Sequence, residues 1–307
     1  MATLAKPGGK TSALGISAVL GAVLAWSVTN TLLKVSSTPA LEFALYRLWV
    51  GAAALLAVCA LMRRRLTLEI VKASAPGGAL LGIEIAFFFS AIKSTNVADV
   101  MVIAALQPAL VLLVAGRLFG ETVTRREVVW TAVSVGGVVL VAAGSVGTPA
   151  FSVRGDLLAV GSLIAWTTYF LVSKRARSRV PALEYMTVVT LTSALVITPL
   201  ALLSGQPLEG VHGSGWVWLL LFVVGASGGH LLVAWAHAYV DVTISSLLML
   251  ALPVLSSIAA LLILNEALTP LELLGMILVV GSLAAIVTKV GRPGAEEEIS
   301  AAEVPQL

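Results

Sequence analysis

Long apolar stretches with almost no charge dominate this sequence and limit what it can fold into. A helix of about 20 apolar residues spans the hydrocarbon core of a bilayer, and ten stretches of this kind follow one another along the chain. They lie at residues 13–33, 40–62, 75–94, 98–117, 127–146, 156–173, 183–204, 216–238, 243–264 and 271–290. The sequence therefore predicts an all-α integral membrane protein with ten transmembrane helices.

Composition excludes the common alternatives. Of the 307 residues, 59% are hydrophobic and 11% are charged, whereas soluble domains carry about 25% charged residues. A chain with so little polar surface cannot be a soluble globular protein, a disordered protein or a nucleic-acid-binding protein. The single cysteine, Cys59, excludes an intramolecular disulfide.

The basic residues are divided unevenly between the two sides of the predicted helices. Fifteen of the 19 lie on one side, Arg47 lies within the second helix, and the other side has only Lys34, Lys93 and Arg154. Because cytoplasmic loops are enriched in Lys and Arg, we expect both termini in the cytoplasm, as an even number of crossings requires. Residues 291–307 are expected to form a polar cytoplasmic tail.

The two halves of the chain repeat each other. The segment 39–43, Pro-Ala-Leu-Glu-Phe, returns 142 positions later as Pro-Ala-Leu-Glu-Tyr at 181–185. A set of scarce residues also returns in the same order at offsets of 140 to 145. In this set Trp26, Lys34, Pro108, Glu121, Thr124 and Gly136 match Trp166, Lys174, Pro253, Glu266, Thr269 and Gly281. We therefore predict two related domains, 13–146 and 156–290.

The number of helices in each repeat has a functional consequence. With five helices per repeat, the second copy enters the membrane from the side opposite to the first, so the two halves are inverted. Inverted halves allow one protein to adopt two mirror-related conformations of similar energy, which is the basis of alternating access. The arrangement indicates a transporter.

Two further segments resemble a known family. Residues 119–124, Phe-Gly-Glu-Thr-Val-Thr, with Gly136 and Gly137, and residues 265–270, Asn-Glu-Ala-Leu-Thr-Pro, with Gly275 and Gly281, resemble the G-E-x-L-T…G…G signature of EamA domains. These domains belong to the drug/metabolite transporter superfamily. The early tryptophans and the Pro-x-x-x-[Phe/Tyr] start of the next helix are similar as well. The resemblance covers about residues 13–290 as two copies.

The resemblance implies a basket of ten helices around a central cavity, with the fifth and tenth helices at the periphery. It is specific for the family and weak for the substrate. Members of the superfamily export amino acids and other metabolites, and their plastid and Golgi relatives move sugar phosphates and nucleotide sugars.

Two ionisable residues are predicted at matched depths in the two halves. Glu84 lies nine residues into the third helix, roughly 13 Å from its start at about 1.5 Å per residue. His230 lies near the middle of the eighth helix, and the repeat offset places it beside Glu84. Charge at that depth costs about 2.5–3.5 kcal/mol. The two groups are therefore expected either to face one cavity, where they could carry a coupling proton, or to tie two helices together by a hydrogen bond.

Other polar and aromatic residues at membrane depth extend the predicted cavity. Arg47 either snorkels outward, pairs with Glu42 or another acid, or contacts a carboxylate or phosphate of the substrate. Prolines in the middle of the fourth and ninth helices predict matched kinks. The predicted substrate-binding residues are Trp26, Asn30, Glu84, Gln107, Trp166 and His230, the possible anion contact is Arg47, and the kink residues are Pro108 and Pro253.

One enzymatic alternative deserves comparison. Residues 225–228, Gly-Ala-Ser-Gly, are similar to the G-x-S-G of rhomboid intramembrane proteases, in which a histidine from another helix activates the serine. Here His230 and His237 lie on the same predicted helix as Ser227. The sequence has no His-Glu-x-x-His, Cys-x-x-Cys or phosphate-binding glycine loop, so no metal or cofactor is expected.

These observations together predict a secondary transporter in the bacterial inner membrane. Its expected activity is export of a small polar or amphipathic metabolite, first of all an amino acid, by alternating access. The alternatives are transport of phosphorylated or sugar metabolites and, in another class, an intramembrane serine hydrolase. The expected partners are the lipid bilayer, a small-molecule substrate and protons, with the chain as a monomer or homodimer.

Overall fold

The computed structural model describes residues 9–35, 38–94, 97–121, 123–144, 152–205, 208–213, 215–264 and 268–290, without the side chains of 9–12, 30–35, 40, 92–93, 97–99, 101, 260, 264 and 286–290. Every regular element in this part of the chain is an α-helix. The helices are α1 (Gly9–Val35), α2 (Ala40–Leu61), α3 (Leu68–Ser94), α4 (Val97–Ala104), α5 (Gln107–Phe119), α6 (Arg125–Gly144), α7 (Val153–Arg177), α8 (Ala182–Leu203), α9 (Gly215–Ala236), α10 (Val242–Leu248), α11 (Ala251–Leu264) and α12 (Pro270–Val290).

The predicted fourth and ninth helices are each broken into two. The breaks fall at 105–106, between α4 and α5, and at 249–250, between α10 and α11. Pro108 is the second residue of α5 and Pro253 the third of α11. Proline fits the first turn of a helix but clashes with the carbonyl four residues earlier in a continuous one. The predicted kinks at Pro108 and Pro253 are therefore complete breaks.

Eight helical stretches in the described chain are long and apolar enough to cross a membrane. Two of them, Val102–Phe119 and Val242–Ile263, run through the breaks. The apolar parts of α1 and α12 are shorter, at Ala13–Thr29 and Pro270–Ala285. The fold is that of an all-helical, multi-pass chain, while the count of ten crossings stays a prediction.

The helices of the first half pack mainly against those of the second half. In the most extensive interfaces α1 lies on α9, α3 on α7 and α8, α2 on α8, and α6 on α12. If α1 corresponds to α7 and α3 to α9, as the repeat predicts, the first two pairs are equivalent. The pairs α2–α8 and α6–α12 then each join equivalent helices. The interior is thus built between the two repeats.

Glycines allow two of these interfaces, α3–α8 and α1–α9, to close tightly. A Cβ added at Gly78 of α3 would lie 2.6 Å from the carbonyl oxygen of Val189 in α8. On α9, a Cβ at Gly225 would lie 2.4 Å from the Thr29 side chain. Small residues bring helix backbones close together in membranes, so these glycines hold α3 to α8 and α9 to α1.

The glycines of α6 and α12 meet each other directly. A Cβ at Gly137 would lie 2.8 Å from the Gly275 carbonyl oxygen, and one at Gly275 would lie 2.5 Å from the Gly137 carbonyl oxygen. A Cβ added at the neighbouring Gly136, or at Gly281 of α12, would meet nothing within 4 Å. Of the four glycines in the segments that resemble EamA domains, Gly137 and Gly275 therefore serve helix packing.

A reciprocal cap begins both α6 and α12. The Thr124 N–H donates to Glu127 Oε2 at 2.6 Å, and the Glu127 N–H donates to Thr124 Oγ1 at 3.3 Å. Thr269 and Glu272 make the same pair of bonds at 2.7 and 3.2 Å. This is the capping-box arrangement, which satisfies backbone donors that a helix start leaves free. The recurrence of threonine at 124 and 269 is thereby explained.

Candidate functional site

A cavity of about 170 Å³ lies among helices of both halves and beside both helix breaks. Its lining combines six polar side chains with five large aromatic ones. The polar ones are Thr29, Arg47, Glu84, Gln107, Ser162 and His230, and the aromatic ones are Trp26, Phe88, Phe89, Trp166 and Phe222. An apolar wall with a few convergent polar groups is typical of a small-molecule site.

The structure brings most of the predicted site residues into this one lining. Trp26, Glu84, Gln107, Trp166 and His230 all line the cavity, as do Arg47, Pro108 and Pro253. Asn30 lies on α1, but its side chain is outside the part of the chain that the structure describes. That these residues bind a substrate stays a prediction.

An aromatic cluster forms one side of the cavity. The Trp26 ring lies 5.9 Å from the Trp166 ring, edge to face, and 4.8 Å from the His230 ring, measured between centroids. The Trp26 Nε1–H donates to the Ala226 carbonyl oxygen at 3.1 Å. Close approach of the indole is allowed because residue 229 is glycine, whose added Cβ would lie 2.5 Å from Trp26 Nε1. The indole is therefore fixed by a hydrogen bond and by the shape of α9.

Glu84 has a hydrogen-bond partner, but it is not His230. The Ser162 hydroxyl donates to Glu84 Oε1 at 3.1 Å, which joins α3 to α7. His230 is 9% exposed, and its Nδ1 has no partner among the described residues. The alternative in which a Glu84–His230 hydrogen bond ties two helices is therefore absent from the described contacts, and both side chains face the cavity.

Arg47 neither snorkels to the surface nor pairs with Glu42. Its side chain is 8% exposed, and its guanidinium carbon lies 5.3 Å from the centroid of the Phe222 ring. Glu42 instead accepts a hydrogen bond from the Gly210 N–H at 2.5 Å. Arg47 interacts electrostatically with Glu84 without a direct ion pair in the described chain. The guanidinium is thus a cation in the cavity lining.

The helix breaks expose backbone to the cavity. The prolines at 108 and 253 cannot donate to the carbonyls of Ala104 and Met249, four residues earlier. Both of those residues line the cavity. The Met249 carbonyl accepts a shorter-range bond from the Leu252 N–H at 2.9 Å. Irregular backbone at membrane depth is tolerated where it borders a cavity. This explains why both helix breaks lie beside this cavity.

Sequence reasoning missed five of the polar and aromatic lining residues, namely Thr29, Phe88, Phe89, Ser162 and Phe222. Ser162 lies one turn before Trp166 on α7, and Thr29 lies three residues after Trp26 on α1, so each shares a helix face with a residue that was predicted. Extending the prediction along those faces would have found both. Phe222 had no comparable signal, because its place beneath Arg47 depends on how α2 packs on α9.

A second polar cluster holds the turn between α9 and α10. Glu121 accepts hydrogen bonds from the backbone N–H groups of Val242 at 2.8 Å and Thr243 at 3.1 Å, while Lys174 Nζ donates to the Val240 carbonyl oxygen. We call these groups the α9–α10 joint. Glu121 and Lys174 are two of the recurring residues. The side chains of their respective counterparts, Glu266 and Lys34, are outside the part of the chain that the structure describes. The joint lies at the end of the bundle that carries the basic loops.

Glu121→Gln is expected to weaken this joint. The substitution keeps the size and one acceptor oxygen but removes the charge and one of two acceptors, and hydrogen bonds to charged groups contribute about 1.5–3 kcal/mol. Thermal unfolding in detergent should show a lower midpoint for Glu121→Gln. The exposed Glu69→Gln is the control and should leave the midpoint unchanged. Equal behaviour of the two variants would contradict the role of Glu121.

The described part of the chain places Ser227, His230 and His237 in different contacts. Ser227 Oγ lies 3.1 Å from the position of a Cβ on Gly51, so it faces α2. The serine that contacts a histidine is Ser173, whose Oγ lies 3.0 Å from His237 Nδ1, and both side chains are buried. No group of three or more described His, Cys, Asp and Glu side chains could hold a metal ion.

Apolar helices around a buried polar cavity define a multi-pass membrane protein with a small-molecule site. The model of the EamA-like transporter family matches residues 13–143 and 153–288, which are both halves of the sequence. The chain therefore belongs to the EamA family, whose members are membrane transporters.

Comparison of the fold agrees with this assignment. A solved structure described as "Crystal structure of protein" superimposes with a TM-score of 0.77, at 22% sequence identity, over 92% of this chain and 97% of that one. At that identity the likeness concerns the fold alone. No curated protein matches the chain.

Proposed function

We propose that this EamA protein is a secondary transporter that exports a small polar or amphipathic metabolite, first of all an amino acid, across the bacterial inner membrane. The observation that carries the proposal is the cavity between the two halves, in which one acid, one guanidinium and several aromatic rings converge. A small-molecule transporter of this family needs such a site, and the chain offers it where both broken helices meet.

The charges in the cavity favour an amino acid. Glu84 supplies a carboxylate and Arg47 a guanidinium, so an ammonium and a carboxylate on one small molecule would each find an opposite charge. The aromatic side chains offer an apolar surface to the rest of the molecule. A cavity of about 150 Å³ accepts benzene, so a volume of about 170 Å³ is suited to a substrate with a side chain of modest size.

Alternating access is supported by the pairing of helices. Equivalent helices of the predicted inverted repeats pack on each other as α2–α8 and α6–α12, and the breaks lie at matched positions on one cavity. Such discontinuous helices occur at the binding sites of transporters built from inverted repeats. The α9–α10 joint lies on the predicted cytoplasmic side, so the described conformation is held together at that end.

Phosphorylated or sugar metabolites are the second candidate, because Arg47 could also hold a phosphate. The negative charge of Glu84 in the cavity lining disfavours a phosphorylated substrate. A phosphate monoester carries about −1.5 to −2 charges at neutral pH, and Glu84 in the same lining would repel it. One guanidinium beside one carboxylate matches a neutral zwitterion better than a dianion.

Uptake into liposomes tests the proposal. The purified protein would be offered radiolabelled amino acids and phosphosugars, with and without an imposed pH gradient. Uptake of one or more amino acids above that of protein-free liposomes is expected. Uptake of phosphosugars alone would replace the first candidate by the second, and peptide cleavage that is lost in Ser227→Ala would establish the hydrolase instead.

Glu84→Gln tests whether the transporter is coupled to protons. The amide cannot exchange a proton with either side of the membrane, so we expect gradient-driven uptake to fall to the level of uptake without a gradient. Exchange of labelled for unlabelled substrate needs no net proton movement, so it should continue at saturating substrate, with a raised KM because the amide binds the ammonium group more weakly than the carboxylate. The exposed Glu69→Gln serves as control. If Glu84→Gln responds fully to the gradient, coupling through this residue is wrong.

A further inference from the structure

Besides the two indoles, three side chains that carry nitrogen reach the cavity from three helices. Arg47 comes from α2, Gln107 from the first position of α5, and His230 from α9. The Arg47 guanidinium makes no ion pair in the described chain. We call these three residues the donor triad, and each of them can offer N–H groups to an acceptor.

Two members of the donor triad have polar atoms that the protein does not satisfy. Gln107 is 2% exposed, and its Nε2 has no hydrogen-bond partner among the described residues. The same holds for Nδ1 of His230, which is also buried. A buried donor or acceptor without a partner costs about 1–3 kcal/mol. Two such nitrogens in one cavity lining indicate a site that a ligand completes.

A bound ligand is within reach of both groups. Both side chains already line the cavity, and binding requires that rotation of the Gln107 amide, or of the His230 ring about its Cβ–Cγ bond, bring the unsatisfied nitrogen to the ligand. Gln107 directly follows the helix break, where the backbone does not continue α4.

The carboxylate and one hydroxyl of the lining lie on two other helices. Glu84 on α3 and Ser162 on α7 are joined by their hydrogen bond, and Glu84 is partly exposed to the cavity. The lining thus carries the donor triad on α2, α5 and α9 and its carboxylate on α3. A ligand that satisfies both parts carries an acceptor group and a cationic donor group.

We propose that the donor triad of Arg47, Gln107 and His230 binds a free carboxylate of the substrate, while Glu84 and Ser162 bind its ammonium group. The inference rests on the proposed function and adds the pose and the requirement for a free carboxylate. A planar carboxylate accepts two parallel bonds from a guanidinium and has lone pairs for the Gln107 amide and the His230 imidazole as well. An ester retains the carbonyl oxygen but loses the charge that Arg47 attracts.

Paired ligands test the proposal. Liposomes that contain the wild-type protein would be offered each standard amino acid in radiolabelled form. The unlabelled competitor would be either the same free amino acid or its methyl ester. We expect the esters to compete at least about tenfold more weakly than the free acids, which corresponds to a loss of about 1.4 kcal/mol of binding. Equal competition by ester and acid would overturn the donor triad and leave amino-acid transport standing. Uptake of phosphosugars alone would overturn both.

Variants of the triad sharpen the test. Gln107→Glu has the same shape but places a second carboxylate beside the substrate, so competition by the free acid should fall while competition by the ester is retained. Arg47→Gln should raise KM for the acid and remove the preference for acid over ester. Arg47→Lys, which keeps the charge, should restore part of that preference. The exposed Arg117→Gln is the matched control and should keep the wild-type preference.

Loss of folding is separated from loss of recognition by the ratio of acid to ester. A misfolded variant loses both ligands together, whereas the proposal requires the ratio to change. Unchanged ratios in both Gln107→Glu and Arg47→Gln, in protein that remains monodisperse in detergent, would overturn the assignment.

Discussion

Gly137→Ala is expected to destabilise the protein, although alanine is the better helix former. The added Cβ would lie 2.8 Å from the Gly275 carbonyl oxygen and 2.9 Å from a Val279 methyl group, so α6 and α12 would have to move apart. Overpacking of this kind costs about 1–3 kcal/mol, which exceeds the gain of about 0.8–1.0 kcal/mol from replacing a helical glycine by alanine. The measurement is the midpoint of thermal unfolding in detergent.

The neighbouring residue provides the control for this prediction. A Cβ at Gly136 meets nothing within 4 Å, so Gly136→Ala gains the helix propensity without a clash and should raise the unfolding midpoint. The two substitutions are chemically identical and adjacent, yet they are expected to shift the midpoint in opposite directions. Shifts of the same sign would show that the α6–α12 interface is not closed at Gly137.

Gly229→Ala is expected to impair transport more than it impairs folding. Its Cβ would lie 2.5 Å from Trp26 Nε1, so the indole must leave its place, lose its hydrogen bond to the Ala226 carbonyl oxygen and move into the cavity. In a cavity of about 170 Å³, a displaced indole removes much of the room for substrate. We expect KM for the transported amino acid to rise by at least about tenfold, or about 1.4 kcal/mol.

Gly228→Ala is the matched control, since a Cβ at that position would meet nothing within 4 Å. Its uptake kinetics should equal those of the wild type. Gly229→Ser and Gly229→Ala should behave alike, because both place a Cβ against Trp26. Normal KM in Gly229→Ala would mean that the Trp26 indole does not define the substrate space.

Part of the site was predictable because it repeats. Trp26 with Trp166 and Pro108 with Pro253 were found as scarce residues that return in order, and all four line the cavity. Depth in the membrane identified Glu84 and His230, since an ionisable group far from both helix ends is costly in lipid. These signals can be found in the linear sequence, so they do not require knowledge of which helices are neighbours.

The contacts of the same residues were not predictable. Glu84 pairs with Ser162 rather than with His230, because the partner is decided by which face of α3 meets α7. Arg47 lies over Phe222 rather than beside Glu42, although Glu42 is on its own helix. The recurring Glu121 and Lys174 looked like parts of a signature, and only the packing shows that they hold the α9–α10 joint.

The sequence by itself determined the membrane-spanning character, the family and the approximate helix limits, because hydrophobic length, charge bias and internal repetition are properties of consecutive residues. The tertiary structure decided where the helices break, which glycines touch and which donors are left without partners. Those features depend on the rotation of each helix about its axis and on its neighbours. A shift of one residue turns a helical side chain by about 100°. The repeat therefore does not show which residues line the cavity until the helices are packed.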